Sequence, residues 1–261
     1  MKTMYFCTKN QIIMSGHSKW STIKRKKGAK DAARSKVFSK LIKEIQIAAR
    51  LGGPDPEANP RLRLAIQNGK MENLPKENIE RAIKKASGAD SEAYEEVVYE
   101  GYGPHGVAIM VECTTDNTNR TVSNVRSYFN KFGGSLGKTG SLEYIFDQLG
   151  VFTFKKGKIN LEDIELDLID AGADDIETDE EYITVYCARE NFGNMQKKLE
   201  DLKIDLENAG LKRIPNNTKT LSVAEFQSVM KLIDMLENDD DVQNVYHNIE
   251  LTDELVASMD E

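Results

Sequence analysis

The feature that most constrains this chain is a change of hydrophobic period near residue 90. Before it, apolar residues recur three and four apart, which is helical spacing. After it, short alternating runs are interleaved with helical ones. Val37, Phe38, Leu41, Ile42, Ile45, Ala48 and Ala49 form one helical stripe, ended by Gly52-Gly53-Pro54. Asn59 followed by Pro60 opens a second helix through Leu62, Ala65 and Ile66. Pro75 opens a third, with Ile79, Ala82, Ile83 and Ala86 inward and Gly88 at its end. Three short helices can share one small core, so residues 15–90 read as a three-helix bundle.

From residue 91 the pattern predicts strands at 96–102 and 106–113, joined at Gly103-Pro104-His105. A helix follows Asp116-Asn117, with Val122, Val125, Phe129 and Phe132 inward. Strands are expected at 142–146 and 151–155. A helix on Leu161, Ile164, Leu168 and Ile169, capped by Asn160, precedes strands at 174–177 and 182–187. A further helix on Phe192, Met195, Leu199 and Leu202 and a strand at 211–214 complete a β-α-β-β-α-β series, the ferredoxin-like order. Ser222 and Glu225 form a capping box for a helix on Phe226, Val229, Met230 and Ile233, followed by a strand at 242–249. That helix and strand can complete the sheet begun after residue 91. The expected class is α+β: an N-terminal three-helix bundle plus two ferredoxin-like α+β domains, one inserted in the other. The expected bounds are 15–90, then 91–149 with 217–251, the insert at 150–216 and a tail at 252–261. Residues 1–14 read as an unstructured extension. Lys9-Asn10-Gln11 interrupts any apolar signal core, and the segment holds no arginine to support a mitochondrial leader.

Charge separates along the same boundary. Residues 15–90 hold 18 Lys+Arg against 8 Asp+Glu, whereas residues 91–261 hold 15 against 35. The net charge of −8 therefore conceals a basic arm on an acidic body, a pattern of nucleic-acid-binding proteins. Three cysteines, at 7, 113 and 187, form neither a disulfide framework nor a zinc motif and suit a reducing compartment. No apolar run approaches the roughly 18 residues of a membrane span. The expected location is the cytoplasm.

The densest basic run is Lys19, Trp20, Lys24, Arg25, Lys26, Lys27, Lys30, Arg34 and Lys36, the candidate nucleic-acid-binding residues. On a helix, Lys26, Lys30 and Arg34 share a face and can follow a phosphate backbone. Trp20, the single tryptophan, either stacks on an unpaired base or anchors the first helix in the core. A second candidate contact loop holds Thr115, Asp116, Asn117, Asn119 and Arg120 at a strand-to-helix junction. Asp116 or Asn117 must cap the helix, while Arg120 in the first turn opposes the helix dipole, which leaves two readings open: contact with a phosphate or a partner, or a structural role in the junction. Gly137-Lys138-Thr139 fails as a phosphate loop, because Phe132 stands where the first glycine is needed and a strand follows. His17, His105 and His247 lack ligand spacing, and the acids from Asp174 to Glu181 read as a solvated hairpin. No catalytic residue, metal, cofactor or small-molecule substrate is expected.

Four stretches carry a resemblance: GHSKWSTIKRKKGAKDAARSKVFSKLIKEI, NLPKENIERAIKKASG, YEGYGPHGVAIMVECTTDNTNRT and FGGSLGKTGSLEYIF. In these the chain resembles the YebC/PmpR family from about Ser15 to near residue 250. The resemblance implies a helical N-terminal bundle, two α+β domains with one inserted in the other, and a non-enzyme. It implies a DNA-binding transcriptional regulator, or alternatively a ribosome-associated translation factor that eases proline-rich stretches. The implied partners are DNA, ribosomal RNA or the ribosome. A metal-dependent phosphodiesterase is the remaining rival.

Overall fold

The structure is a computed structural model that describes residues 31–86, 94–157 and 159–259. The expected extension at 1–14 and most of the basic run lie outside the described residues. Helices α1 (Asp31–Gly52), α2 (Pro60–Met71) and α3 (Lys76–Ala86) come first. Asn59 caps α2 as expected, its side chain accepting the Leu62 N–H at 3.1 Å. The same side chain donates to the Ala48 and Gly53 carbonyls at 2.7 and 2.8 Å, so the cap also ties α2 to the end of α1. Ile45, Ala48, Ala49, Leu62, Ala65, Leu74, Ile79, Ala82 and Ala86 form the shared core.

Two four-stranded sheets follow. Strands β1 (Glu95–Tyr102), β2 (Ala108–Thr115), β3 (Ser135–Leu136) and β8 (Val242–His247) lie in the order β3-β1-β2-β8. Helices α4 (Thr118–Lys131) and α7 (Val223–Glu237) contribute Val125, Phe129, Phe226, Val229 and Ile233 to the core of this sheet. The other sheet is built of β4 (Phe146–Lys155), β5 (Ala173–Thr178), β6 (Tyr182–Ala188) and β7 (Leu206–Pro215), in the order β5-β6-β4-β7. With α5 (Leu161–Asp170) and α6 (Phe192–Asp201) it follows the ferredoxin-like order strand for strand. The first sheet uses the same ingredients differently: the β1–β2 hairpin sits in the middle, flanked by β3 and β8.

The chain divides into two compact units. One holds Arg34–Glu92 with Gln148–Arg213, and the other takes in Ala93–Asp147 and Ile214–Glu261. Within the first, Leu64 and Met71 of α2 pack on the core of the inserted sheet, and Asn68 Nδ2 donates to the Ala209 carbonyl at 3.0 Å. The helical segment is therefore joined to the insert by apolar contact.

Three local expectations differ from the structure. No strand forms at 142–146; instead β4 begins at Phe146 and runs unbroken to Lys155. Buried Glu100 explains this, because its carboxylate takes the Gly140 N–H at 2.8 Å and the Leu142 N–H at 2.6 Å. Backbone donors held by a carboxylate are not available to a ladder. Asn160 sits at the α5 N-cap, yet its side chain makes no capping bond. The expected tail begins as helix α8 (Asp253–Ala257), capped by Thr252, with Leu255 buried in the first sheet's core.

Candidate functional site

The two candidate clusters fare differently. Of the basic run, Lys19, Trp20, Lys24, Arg25, Lys26, Lys27 and Lys30 lie outside the described residues. Arg34 and Lys36 fall in α1. Lys36, Lys40 and Lys43, four and three residues apart, line one side of that helix. Ile47 continues the same side and is only 1% exposed, so protein covers this side toward its C-terminal end.

The Thr115–Arg120 loop is fully described and closes on itself. It joins the end of β2 to the start of α4. Asn117 is the N-cap, accepting the Arg120 N–H at 3.0 Å, while its own N–H donates to Thr115 Oγ1 at 2.9 Å. Arg120 Nη2 reaches Asp116 Oδ1 and Asp241 Oδ2, both at 2.7 Å, and Nε reaches Asp241 Oδ2 at 3.2 Å. The Thr121 and Thr115 hydroxyls donate to that same oxygen at 2.9 and 3.3 Å. The Asp241 carbonyl accepts the Thr114 N–H at 2.7 Å. Asp239, two residues earlier, accepts the Tyr128 hydroxyl at 2.8 Å. Burial, then that hydrogen bond, pushes the Tyr128 phenol up to about 12. The Asp241 hydrogen bond, then the Asp116 one, raises the Arg120 guanidinium above its ordinary range.

This geometry corrects the dipole argument for Arg120. Its unfavourable place in the first turn of α4 is offset by a carboxylate 121 residues away and by Asp116 beside it. The network fastens the β2–α4 junction to the α7–β8 turn. Thr115, Asp116, Asn117 and Arg120 all belong to it, while Asn119 is exposed and contributes its carbonyl to the Ser123 hydroxyl at 2.8 Å. Sequence reasoning missed Asp239 and Asp241. Three acids at the close of a helix, where the dipole disfavours them, were the available signal.

Two other clusters bear on catalysis. His105 Nδ1 lies 3.4 Å from Glu225 Oε1, and its Nε2 lies 3.4 Å from Ser228 Oγ. The connectivity is that of a serine relay, but both links are longer than working hydrogen bonds of about 2.6–3.2 Å. Glu225 is committed elsewhere: its Oε2 accepts the Ser222 N–H at 2.9 Å and the Ser222 hydroxyl at 2.8 Å in the capping box. The trio anchors the β1–β2 turn, where His105 sits at φ 59°, to α7. In the acidic hairpin, Asp179 Oδ1 accepts the Glu181 and Tyr182 N–H groups at 2.8 and 2.6 Å, forming the turn. Glu177 is pushed up to about 7, chiefly by burial, and accepts the Tyr186 hydroxyl at 3.0 Å. Among the described residues, no group of three or more His, Cys, Asp or Glu is placed to hold a metal ion. Cys113 and Cys187 are buried thiols outside any disulfide, and burial pushes Cys187 up to about 11, away from thiolate chemistry.

The whole-chain comparisons identify the framework in which these clusters sit. Residues 94–249 match the family model for the TACO1/YebC second and third domain, and residues 18–89 match that for the TACO1/YebC protein N-terminal domain. The chain belongs to the TACO1/YebC family. A relative from Amoebophilus asiaticus (strain 5a2), named a probable transcriptional regulatory protein, is 53% identical over 239 residues, which is 90% of this chain and 98% of the relative. The crystal structure of a conserved hypothetical protein from Aquifex aeolicus is similar at TM-score 0.78 and 45% identity, covering 87% of this chain and 94% of that one. The TACO1/YebC fold thus places the basic run in its N-terminal domain and the Arg120 network in its second and third domain region. Among the described residues no helix is long and apolar enough to cross a membrane.

Proposed function

We propose that this TACO1/YebC protein is a non-enzymatic, nucleic-acid-binding regulator of gene expression acting in the cytoplasm, and that the segment from Lys19 to Lys36 is its phosphate-contacting arm. The observation that carries this reading is the segregation of charge: 18 Lys+Arg against 8 Asp+Glu in residues 15–90, beside 15 against 35 in residues 91–261. A polyanion is repelled by most of the chain and attracted by one segment. The name of the Amoebophilus relative, a probable transcriptional regulatory protein, supports regulation as the purpose of that contact. Arg120 is not assigned a phosphate, because its charge is already neutralised by Asp116 and Asp241.

The test is the salt dependence of duplex DNA binding by the full chain. Roughly four to six phosphate contacts give a log–log slope of about −4 to −5. A slope near zero would reduce the basic run to a solvated face. Persistent co-sedimentation with ribosomes at moderate salt would move the same arm onto ribosomal RNA.

A further inference from the structure

The fold uses two sides of helix α5 and leaves a third in water. Leu161, Ile164 and Leu168 turn to the core of the inserted sheet. Asp167 turns to α6, where Lys198 Nζ lies 3.0 Å from its Oδ1. The third side carries Leu166, 75% exposed and the most exposed of the large apolar side chains described, and Ile169, 48% exposed. The helical period assigns Ile169 to the core, so its place in water departs from the sequence pattern. Residues three apart on a helix are surface neighbours, and the two side chains therefore form one apolar spot.

Acids frame that spot. Glu162 and Asp170 lie four residues before and after Leu166, Asp163 lies three before it, and Glu165 lies four before Ile169. All four are exposed, and none makes an ion pair among the described residues. Helix α5 contains no basic residue of its own, and Asp170 stands at the negative end of the helix dipole. Glu162 and Glu165, three apart, repel each other. The helix holds these charges outward against its own stability, and a cationic partner relieves them.

The charge also selects the occupant. Four carboxylates repel a phosphate backbone and an anionic membrane surface. Two copies meeting through this face set acid against acid. A cationic protein surface with apolar anchors satisfies both the spot and its frame. A helix face offers no backbone edge for an added strand, whereas helices pack on helices through rows of side chains. We propose that the outer face of α5, Leu166 and Ile169 framed by Glu162, Asp163, Glu165 and Asp170, docks a basic amphipathic helix of a partner protein. This goes beyond the nucleic-acid reading and stands without it.

The experiment measures binding of the full chain to a fluorescein-labelled peptide of about 14 residues, built of lysine and alanine with two leucines three apart. A control peptide of the same composition, with its leucines on opposite sides, should bind more weakly. Leu166→Ala with Ile169→Ala alters no charge and should weaken binding of the first peptide about tenfold, the transfer worth of two partly buried side chains. Leu166→Lys, at the most exposed position, keeps the helix and should weaken it at least as far. Glu162→Gln with Glu165→Gln should weaken binding and make it less sensitive to salt. Duplex DNA affinity should stay at the parent value in the alanine pair. No binding by the parent, or equal binding by the parent and the alanine pair, overturns the proposal, the latter reducing it to bare charge attraction. A rise in duplex affinity of the alanine pair also overturns it, because the chain's own basic arm would then be what covers α5. A concentration-dependent dimer of the parent that the alanine pair abolishes overturns it in favour of a second copy.

Discussion

The basic arm and the Thr115–Arg120 loop look alike in sequence, each a dense polar stretch at the start of a helix. They differ in where their counter-charges are. Residues 15–90 carry ten more cations than acids, a surplus that nothing within the segment can neutralise. Arg120, by contrast, is paired twice at 2.7 Å, and the more important partner, Asp241, is only 5% exposed. A charge in surplus is available to a partner, while a charge balanced internally fixes a fold. Density of polar residues does not separate the two cases; the location of the opposite charge does.

The sharpest way to break this comparison is to remove Asp241. Its carboxylate collects Arg120, Thr115 and Thr121, so Asp241→Ala removes one buried acceptor that three donors share. Breaking a buried pair by deleting one partner costs about 3–5 kcal/mol. Urea unfolding of the full chain should show a loss near the low end, about 3 kcal/mol, because Arg120 is half exposed and regains water. If the variant unfolds at the parent midpoint, the network is not what fastens α4 to the α7–β8 turn.

Glu177 tests a charge of a third kind, buried with acids as neighbours. Its folded pKa of about 7 lies above the ordinary 4.5. The folded state therefore holds a proton that the unfolded chain releases. The contribution is fully present below about pH 4.5 and is lost as pH rises through 7. Stability should fall by about 2 kcal/mol between those limits, after discounting for solvent reaching the carboxyl. Glu177→Gln keeps an acceptor for Tyr186 and should remove this slope, raising Tm at pH 8 and leaving it unchanged at pH 4. A Tm that rises with pH in the parent and is unaffected by the substitution contradicts the assignment.

Arg120→Ala gives a smaller effect at the same network. Asp241 keeps two hydroxyl donors, and the lost guanidinium was half exposed, so about 1 kcal/mol is expected. Thermal unfolding reads it. A stabilised variant would restore the view that Arg120 is tolerated against the helix dipole for the sake of an outside contact.

Legibility in the sequence followed the distance between interacting groups. The Asn59 cap and the Ser222–Glu225 capping box involve residues three apart, and both form as read. The period change near residue 90 separated helices from sheets, and the β-α-β-β-α-β series found the inserted sheet, because side-chain alternation is a local property. The strand expected at 142–146 failed because Glu100, some 40 residues earlier, takes its backbone donors. Arg120 was misjudged because Asp241 is 121 residues later. Tyr102 and Tyr144 each look like an ordinary strand aromatic, and only folding leaves their rings together in water. Nothing along the chain marks Leu64 and Met71 for the inserted core, since both look like bundle positions.

The smallest effect on stability, and the most direct probe of surplus charge, is expected from Lys26→Ala. Lys26 belongs to a segment with more cations than acids, so its removal relieves repulsion as readily as it breaks a pair. Removing one cation of a surplus, with no apolar group lost, should change stability by no more than about 0.5 kcal/mol, so the unfolding midpoint should not move measurably. Binding is where the change belongs. A phosphate contact positions without reading sequence, so affinity should drop by a similar factor for duplexes of unrelated sequence. The log–log salt slope should become shallower by roughly 0.9, the share of one neutralised phosphate. The measurement must use the full chain, because isolating residues 15–90 strips Leu64 and Met71 of their packing on the insert and confounds binding with folding. A loss confined to one DNA sequence would make Lys26 a base-reading residue, and an unchanged slope would place it off the nucleic-acid path.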